Sequence, residues 1–162
     1  MEKSKKDKIF YAIIFAVILA NLLWIFVQSS LPMEVSEAES DKVTEVVDKV
    51  VPEEVSFKEF LLNNIRKIAH FVEFGTLGLE AFLLLWYSRR MKISTVACAL
   101  GLGALVAFFD ETVQIFSKRG AAILDVWIDI GGFASFFLLP VAVYILVSCI
   151  KHKNETKNSI SA

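Results

Sequence analysis

Residues 9–27, IFYAIIFAVILANLLWIFV, run for 19 positions without a charged side chain. A helix rises about 1.5 Å per residue, so a run of this length crosses the roughly 30 Å hydrocarbon core of a bilayer. Hydrocarbon offers no partner to backbone N–H and C=O groups, and a helix meets that constraint by pairing its own. Three further apolar runs follow, at about residues 65–87, 93–109 and 122–150. With 56% hydrophobic residues, 14 of them Phe alone, the chain is too apolar for a soluble domain of its length. It reads as an all-α membrane protein, a four-transmembrane-helix bundle in a single domain over residues 1–162. Pro140 in the last run predicts a kink rather than a break, because membrane helices tolerate proline.

Lys3, Lys5, Lys6 and Lys8 precede the first run. A basic start before an apolar stretch also describes a signal peptide, but this run is long for one and no small-x-small cleavage site follows. It is read as an uncleaved first span. Cys98 and Cys149 each sit in an apolar run, lack metal-ligand spacing and read as packing residues.

Loop charge sets the expected orientation. The amino-terminal tail is basic, Arg89, Arg90 and Lys92 separate spans two and three, and Lys151 and Lys153 follow span four. Residues 31–60, by contrast, hold nine acidic residues against three lysines. The positive-inside rule then puts both termini in the cytoplasm and the acidic loop, about residues 31–60, outside. Within that loop Val43, Val46, Val47 and Val50 recur at helical spacing, which suggests a short amphipathic helix ending before Pro52. It would lie on the outer membrane surface or dock on the bundle; a solvated loop is the other reading.

The apolar runs carry polar groups that hydrocarbon penalises. Arg66, His70 and Glu73 are spaced four and three apart, on one face of span two, and Glu80 continues the stripe one heptad further in. Span three ends with Asp110, Glu111 and Gln114, and span four begins with Asp125 and Asp129, again four apart. Gln28, Ser29 and Ser30 close the first span. Four segments therefore deliver their polar residues to one depth in the outer half of the membrane. An ionised group inside a bilayer has to face the interior and find a partner. The expected pairs are Arg66 or Arg119 with Asp110, Glu111 or Asp125, and His70 with a carboxylate, around a polar pocket opening outward. Glycines at 75, 78, 101, 103, 131 and 132 let the helices close around it.

The chemistry of this set stays open from the residues alone. His70-x-x-Glu73 with Asp110, Glu111, Asp125 and Asp129 supplies enough N and O ligands for a divalent cation. The same groups offer general acid and base candidates, chiefly His70, Glu73 and Asp125. A structural or ligand-binding polar network is the third reading. No cofactor is assigned. A net charge of −1 gives no reason to expect nucleic acid as a partner.

The segments RKIAHFVEF, DETVQIF, the basic KRG and DVWIDIGG occur in that order. Together they resemble the signature of the VanZ-like family of small bacterial membrane proteins over about residues 10–150. The resemblance implies that Lys67, His70, Glu73, Asp110, Glu111, Gln114, Arg119, Asp125 and Asp129 carry the family's site, with Arg66 beside them. Ser117-Lys118 stands where a proline-glycine pair often precedes the loop arginine, and Gln28-Ser29-Ser30 rearranges a serine-serine-glutamine. The family takes its name from a protein associated with resistance to teicoplanin, a glycopeptide that acts on cell-wall precursors. The resemblance therefore implies a multi-pass protein of the bacterial plasma membrane with a role in the cell envelope. Its partners would be the lipid bilayer and a lipid-linked cell-wall precursor or other amphiphilic ligand, bound without turnover or, alternatively, processed by an intramembrane hydrolase or transferase. Four spans without an internal repeat argue against a monomeric carrier.

The topology yields a direct test. With Cys98 and Cys149 replaced by alanine, Ser40→Cys should react with a membrane-impermeant thiol reagent added to intact cells. Labelling only after permeabilisation would reverse the orientation.

Overall fold

The computed structural model describes residues 4–52, 58–117 and 123–160. Five helices follow one another: α1 (Lys5–Ser30), α2 (Met33–Val50), α3 (Lys58–Tyr87), α4 (Ile93–Phe116) and α5 (Ile123–Ile160). Four of them, α1, α3, α4 and the Ile123–Lys151 part of α5, are long and apolar enough to cross a membrane. The chain is thus all-helical among the described residues, with the four expected spans and α2 between the first two.

Local chemistry explains the boundaries. Ser4 caps α1 in a capping box, its backbone N–H donating to Asp7 Oδ2 at 3.2 Å. Leu31 and Val51, which end α1 and α2, are both extended and both precede proline, where the helical region is sterically disfavoured. The segment expected as an acidic loop is therefore largely helical, and its helix begins at Met33, well before the valine stripe. The α3–α4 connection closes as a Schellman motif, with Arg89 N–H donating to Trp86 O and Arg90 N–H to Leu85 O. Arg89 adopts the left-handed conformation (φ 53°) that this motif usually gives to glycine. Helix α3 bends at Asn64 (φ −124°, ψ 15°), where the Asn64 side-chain amide donates to Phe60 O at 2.9 Å. Helix α5 continues unbroken through Pro140.

The contacts Asn21–Thr76 and Tyr87–Asp7 make α1 and α3 antiparallel, whereas Ser29–Asp110, with Phe15 and Ile18 sharing a groove with Cys98 and Leu102 earlier on both helices, makes α1 and α4 parallel. Helices α3 and α5 run parallel and share the most extensive interface. Glycines set their separation. A Cβ on Gly78 would fall on the carbonyl of Phe133, and one on Gly132 would fall on the carbonyl of Phe71. The two backbones therefore touch at two points. Gly103 of α4 similarly accepts the ring of Phe133, while Gly101 faces open space.

The buried core is small: Ile25, Phe74, Leu77, Ala107, Val126, Phe133, Phe137 and Val141. Large apolar side chains such as Leu19, Phe108 and Leu139 point outward instead, as expected where lipid surrounds the bundle. Cys98 and Cys149 also lie on this outer surface, free and exposed, rather than in the core. Their runs are apolar because they face outward, so apolar context did not imply burial. At the end away from α2, Tyr87 stacks on Phe10 (centroids 3.6 Å apart) and donates its hydroxyl to Asp7 at 2.7 Å.

Gly78→Ala and Gly132→Ala should each lower stability by about 1–3 kcal/mol, the usual range for overpacking. Gly101→Ala should be neutral or slightly stabilising. Thermal midpoints of the detergent-purified variants check this, and equal midpoints for all three would remove the close α3–α5 approach.

Candidate functional site

The antiparallel arrangement brings the carboxyl-terminal ends of α1 and α4 beside the amino-terminal parts of α3 and α5. Each helix contributes a polar side chain to the layer where they meet. Asp110 of α4 is fully buried and accepts hydrogen bonds at both oxygens, from Ser29 Oγ of α1 at 2.5 Å and from Gln114 Nε2 at 2.8 Å. Gln114 lies one helical turn along α4, so its amide nitrogen serves Asp110 while its oxygen faces outward. That oxygen accepts from Arg66 Nη2 of α3 at 3.3 Å, and Arg66 Nη1 points at Met33 Sδ of α2 at 3.5 Å. One turn further along α3, His70 Nδ1 sits 3.7 Å from Asp129 Oδ1 of α5. That is an ionic separation rather than a hydrogen bond. Asp129 is fully buried, and neither of its carboxylate oxygens accepts a hydrogen bond among the described residues. Ligating atoms of His70, Asp110 and Asp129 all lie within 4.8 Å of one another.

Two recesses reach this layer. Between α3 and α5 a cleft of about 260 Å³ is lined by Asn63, Asn64, Arg66, Lys67, His70, Asp125 and Asp129. Beneath α2 a smaller recess of about 150 Å³ is bordered by Gln28, Ser36, Glu39, Ser40, Arg66, His70 and Glu73. Arg66 and His70 belong to both, so they form the wall between them. Helix α2 turns the small side chains of Ser36 and Ser40 toward the bundle and leaves Val35, Val43, Val46 and Val50 exposed. The valine stripe thus divides: Val43 borders the recess and Val47 is half-buried, while Val46 and Val50 stay exposed. It presents an apolar face beside the site, as a helix lying in a membrane interface would.

The α3 stripe fans out rather than meeting at one point. His70 faces Asp129, whereas Glu73 turns toward α1 and accepts from Trp24 Nε1 at 3.0 Å. Glu80 continues that second line: Asn21 Nδ2 donates to Glu80 Oε1 at 3.2 Å and to Thr76 Oγ1 at 3.0 Å. Glu80 therefore belongs to an α1–α3 polar seam, apart from the His70–Asp110–Asp129 group.

Arg66 reaches Asp110 only through Gln114 and forms no ion pair among the described residues, so of the two arginines expected to pair with a carboxylate, Arg66 does not. The Gln114 amide occupies the space between Arg66 and Asp110. Glu111 is buried next to Asp110, Lys67 is exposed at the cleft mouth and Asp125 is half-buried in its wall. Arg119 lies outside the described residues. The sequence reading passed over Asn21, Trp24, Met33, Ser36 and Thr76. Asn21 carried a usable signal, being an amide alone in an apolar span, where it requires a partner. Ser36 and Ser40 carried another, spaced one turn apart on the side of α2 away from its acids.

Comparison with known families matches the VanZ/LLP1 model to residues 9–146. No curated protein and no solved structure matches the chain.

Ser29→Ala should remove the donor to a fully buried carboxylate and lower stability by about 1–3 kcal/mol. Trp24→Phe should shift the thermal midpoint less, because the Trp24–Glu73 contact is exposed. An equal loss for the two would place Asp110 outside the structural centre of the layer.

Proposed function

Because the chain belongs to the VanZ/LLP1 family, we propose that its polar layer binds the anionic head group of a lipid-linked cell-wall precursor or similar amphiphile at the outer face of the plasma membrane. The outward orientation follows from the three basic segments on the opposite side. The observation that carries the reading is the cleft between α3 and α5, where Arg66, Lys67 and His70 meet two asparagines at the mouth of a buried polar layer. Arginine, lysine and histidine donate to phosphate oxygens, and the amides of Asn63 and Asn64 can do the same. The apolar tail of such a ligand would stay in the bilayer, against the exposed apolar surface of α3 and α5. Only the head group then enters protein, which suits a recess of about 260 Å³. Sequestering or remodelling a precursor in this way would reduce glycopeptide access and contribute to teicoplanin resistance.

A second reading keeps the ligand and adds turnover. His70 beside Asp129 supports it, since a carboxylate can hold an imidazole in position for proton transfer. The protein would then be an intramembrane hydrolase or transferase acting on the same class of lipid.

Binding is measured with the purified protein in nanodiscs, using polyprenyl phosphate against phosphate-free polyprenol. The phosphate lipid should bind preferentially, and Arg66→Ala should weaken it by roughly tenfold or more, the equivalent of losing one charged hydrogen bond. Equal binding of the two lipids would overturn the head-group reading. In a deletion strain, complementation by the wild type but not by His70→Ala should restore teicoplanin tolerance. A changed lipid-intermediate profile that His70→Gln abolishes would select the enzymatic reading.

A further inference from the structure

We propose that His70, Asp110 and Asp129 form a binding site for one divalent first-row metal ion, Zn²⁺ or Mn²⁺. The three residues come from three helices, so their meeting is a product of the tertiary fold. Their ligating atoms lie within 4.8 Å of one another, and a triangle bounded in this way contains a point within about 2.8 Å of every corner. Metal–ligand bonds of about 2.1 Å in a tetrahedral site put neighbouring ligand atoms about 3.4 Å apart. His70 Nδ1 and Asp129 Oδ1 stand at 3.7 Å, already too far for a hydrogen bond and close to that ligand–ligand edge. A contraction of a few tenths of an ångström there closes the edge.

A second observation is independent of this spacing. Asp129 is fully buried, yet both of its oxygens lack a hydrogen-bond partner among the described residues. A buried carboxylate without donors is strongly disfavoured. Here it sits beside a second fully buried carboxylate, Asp110, which compounds the penalty. Arg66, which lines the same cleft, does not relieve it, since it is engaged with Gln114 and Met33. A dication at the centre of the three residues would neutralise both carboxylates and supply Asp129 with its missing partner.

The surroundings are those of a ligating group. Ser29 and Gln114 hold Asp110 by both oxygens, which fixes its orientation as outer-shell donors do around metal sites. The cleft between α3 and α5 reaches His70 and Asp129 and leaves an approach for the ion. One imidazole with two carboxylates favours a transition metal over Mg²⁺ or Ca²⁺, which take oxygen ligands alone. Three protein ligands leave a coordination position open, as at catalytic rather than structural zinc sites. That position is where a phosphate oxygen of the proposed ligand would bind. The ion's role at the phosphate rests on the head-group reading, but its presence does not.

The test uses full-length protein in detergent, stripped with chelator and with no lipid ligand added. Mn²⁺ is titrated by the loss of the free-ion paramagnetic resonance signal, and Zn²⁺ is counted by elemental analysis after desalting. The wild type should bind one equivalent of at least one of the two ions and gain thermal stability with it. Asp129→Asn and His70→Gln should abolish that equivalent, and Ser29→Ala should weaken it about 10–100-fold. Glu45→Gln, on the exposed face of α2, should bind as the wild type does. Substoichiometric binding by the wild type, or an undiminished equivalent in Asp129→Asn, overturns the site. Full metal occupancy with no preference for the phosphate lipid would remove the head-group reading and leave the metal site standing.

Discussion

The close approach of α3 and α5 governs the rest of the molecule. Gly78 lies against the carbonyl of Phe133 and Gly132 against that of Phe71, with no room for a side chain at either point. Between helices in lipid there is no hydrophobic drive, so packing of this kind is what holds them together. It also sets the register. His70 precedes Phe71 by one residue, and Asp129 precedes Gly132 by three, so the contact that joins the backbones brings the imidazole and the carboxylate together. The polar layer is then completed by α1 and α4, which run the other way and end at the same depth.

That layer illustrates how a bundle accommodates groups that its solvent rejects. Asp110 is satisfied by Ser29 and Gln114, Gln114 by Arg66, and Glu73 by Trp24, while Glu80 accepts from Asn21 at one oxygen and has no hydrogen-bond partner at the other among the described residues. Each of these is a contact between polar side chains in the protein, and most join different helices. Asp129 departs from the pattern. A fully buried carboxylate without donors is the feature that a purely structural network leaves unexplained, and it lies where the cleft meets the bundle interior.

Helix α2 has a separate part. Its ends are fixed by Pro32 and Pro52, and its three faces differ in chemistry: acids and lysines on one, valines on the next, small hydroxyls on the third. Ser36, Ser40 and Val43 border the recess shared with Arg66 and His70, so α2 covers one side of the layer while Val35, Val46 and Val50 remain exposed. The cleft between α3 and α5 is the side that α2 does not line.

The sequence by itself determined the four spans and the residues worth watching, and it offered the helix that ends before Pro52 as one of two readings. Uninterrupted apolar length, proline position and charge inside an apolar run act locally, or carry a penalty wherever they fall. It could not apportion the α3 stripe, because one helical face meets three neighbours. Only tertiary packing sent His70 to Asp129 but Glu73 and Glu80 to α1. Nor could it foresee that Gln114 would stand between Arg66 and Asp110, or that Asn21 would be the partner of Glu80. Those outcomes depend on interhelical distances of a few ångströms. Such distances are decided by where glycines let two backbones touch, and spacing along a single chain does not encode that.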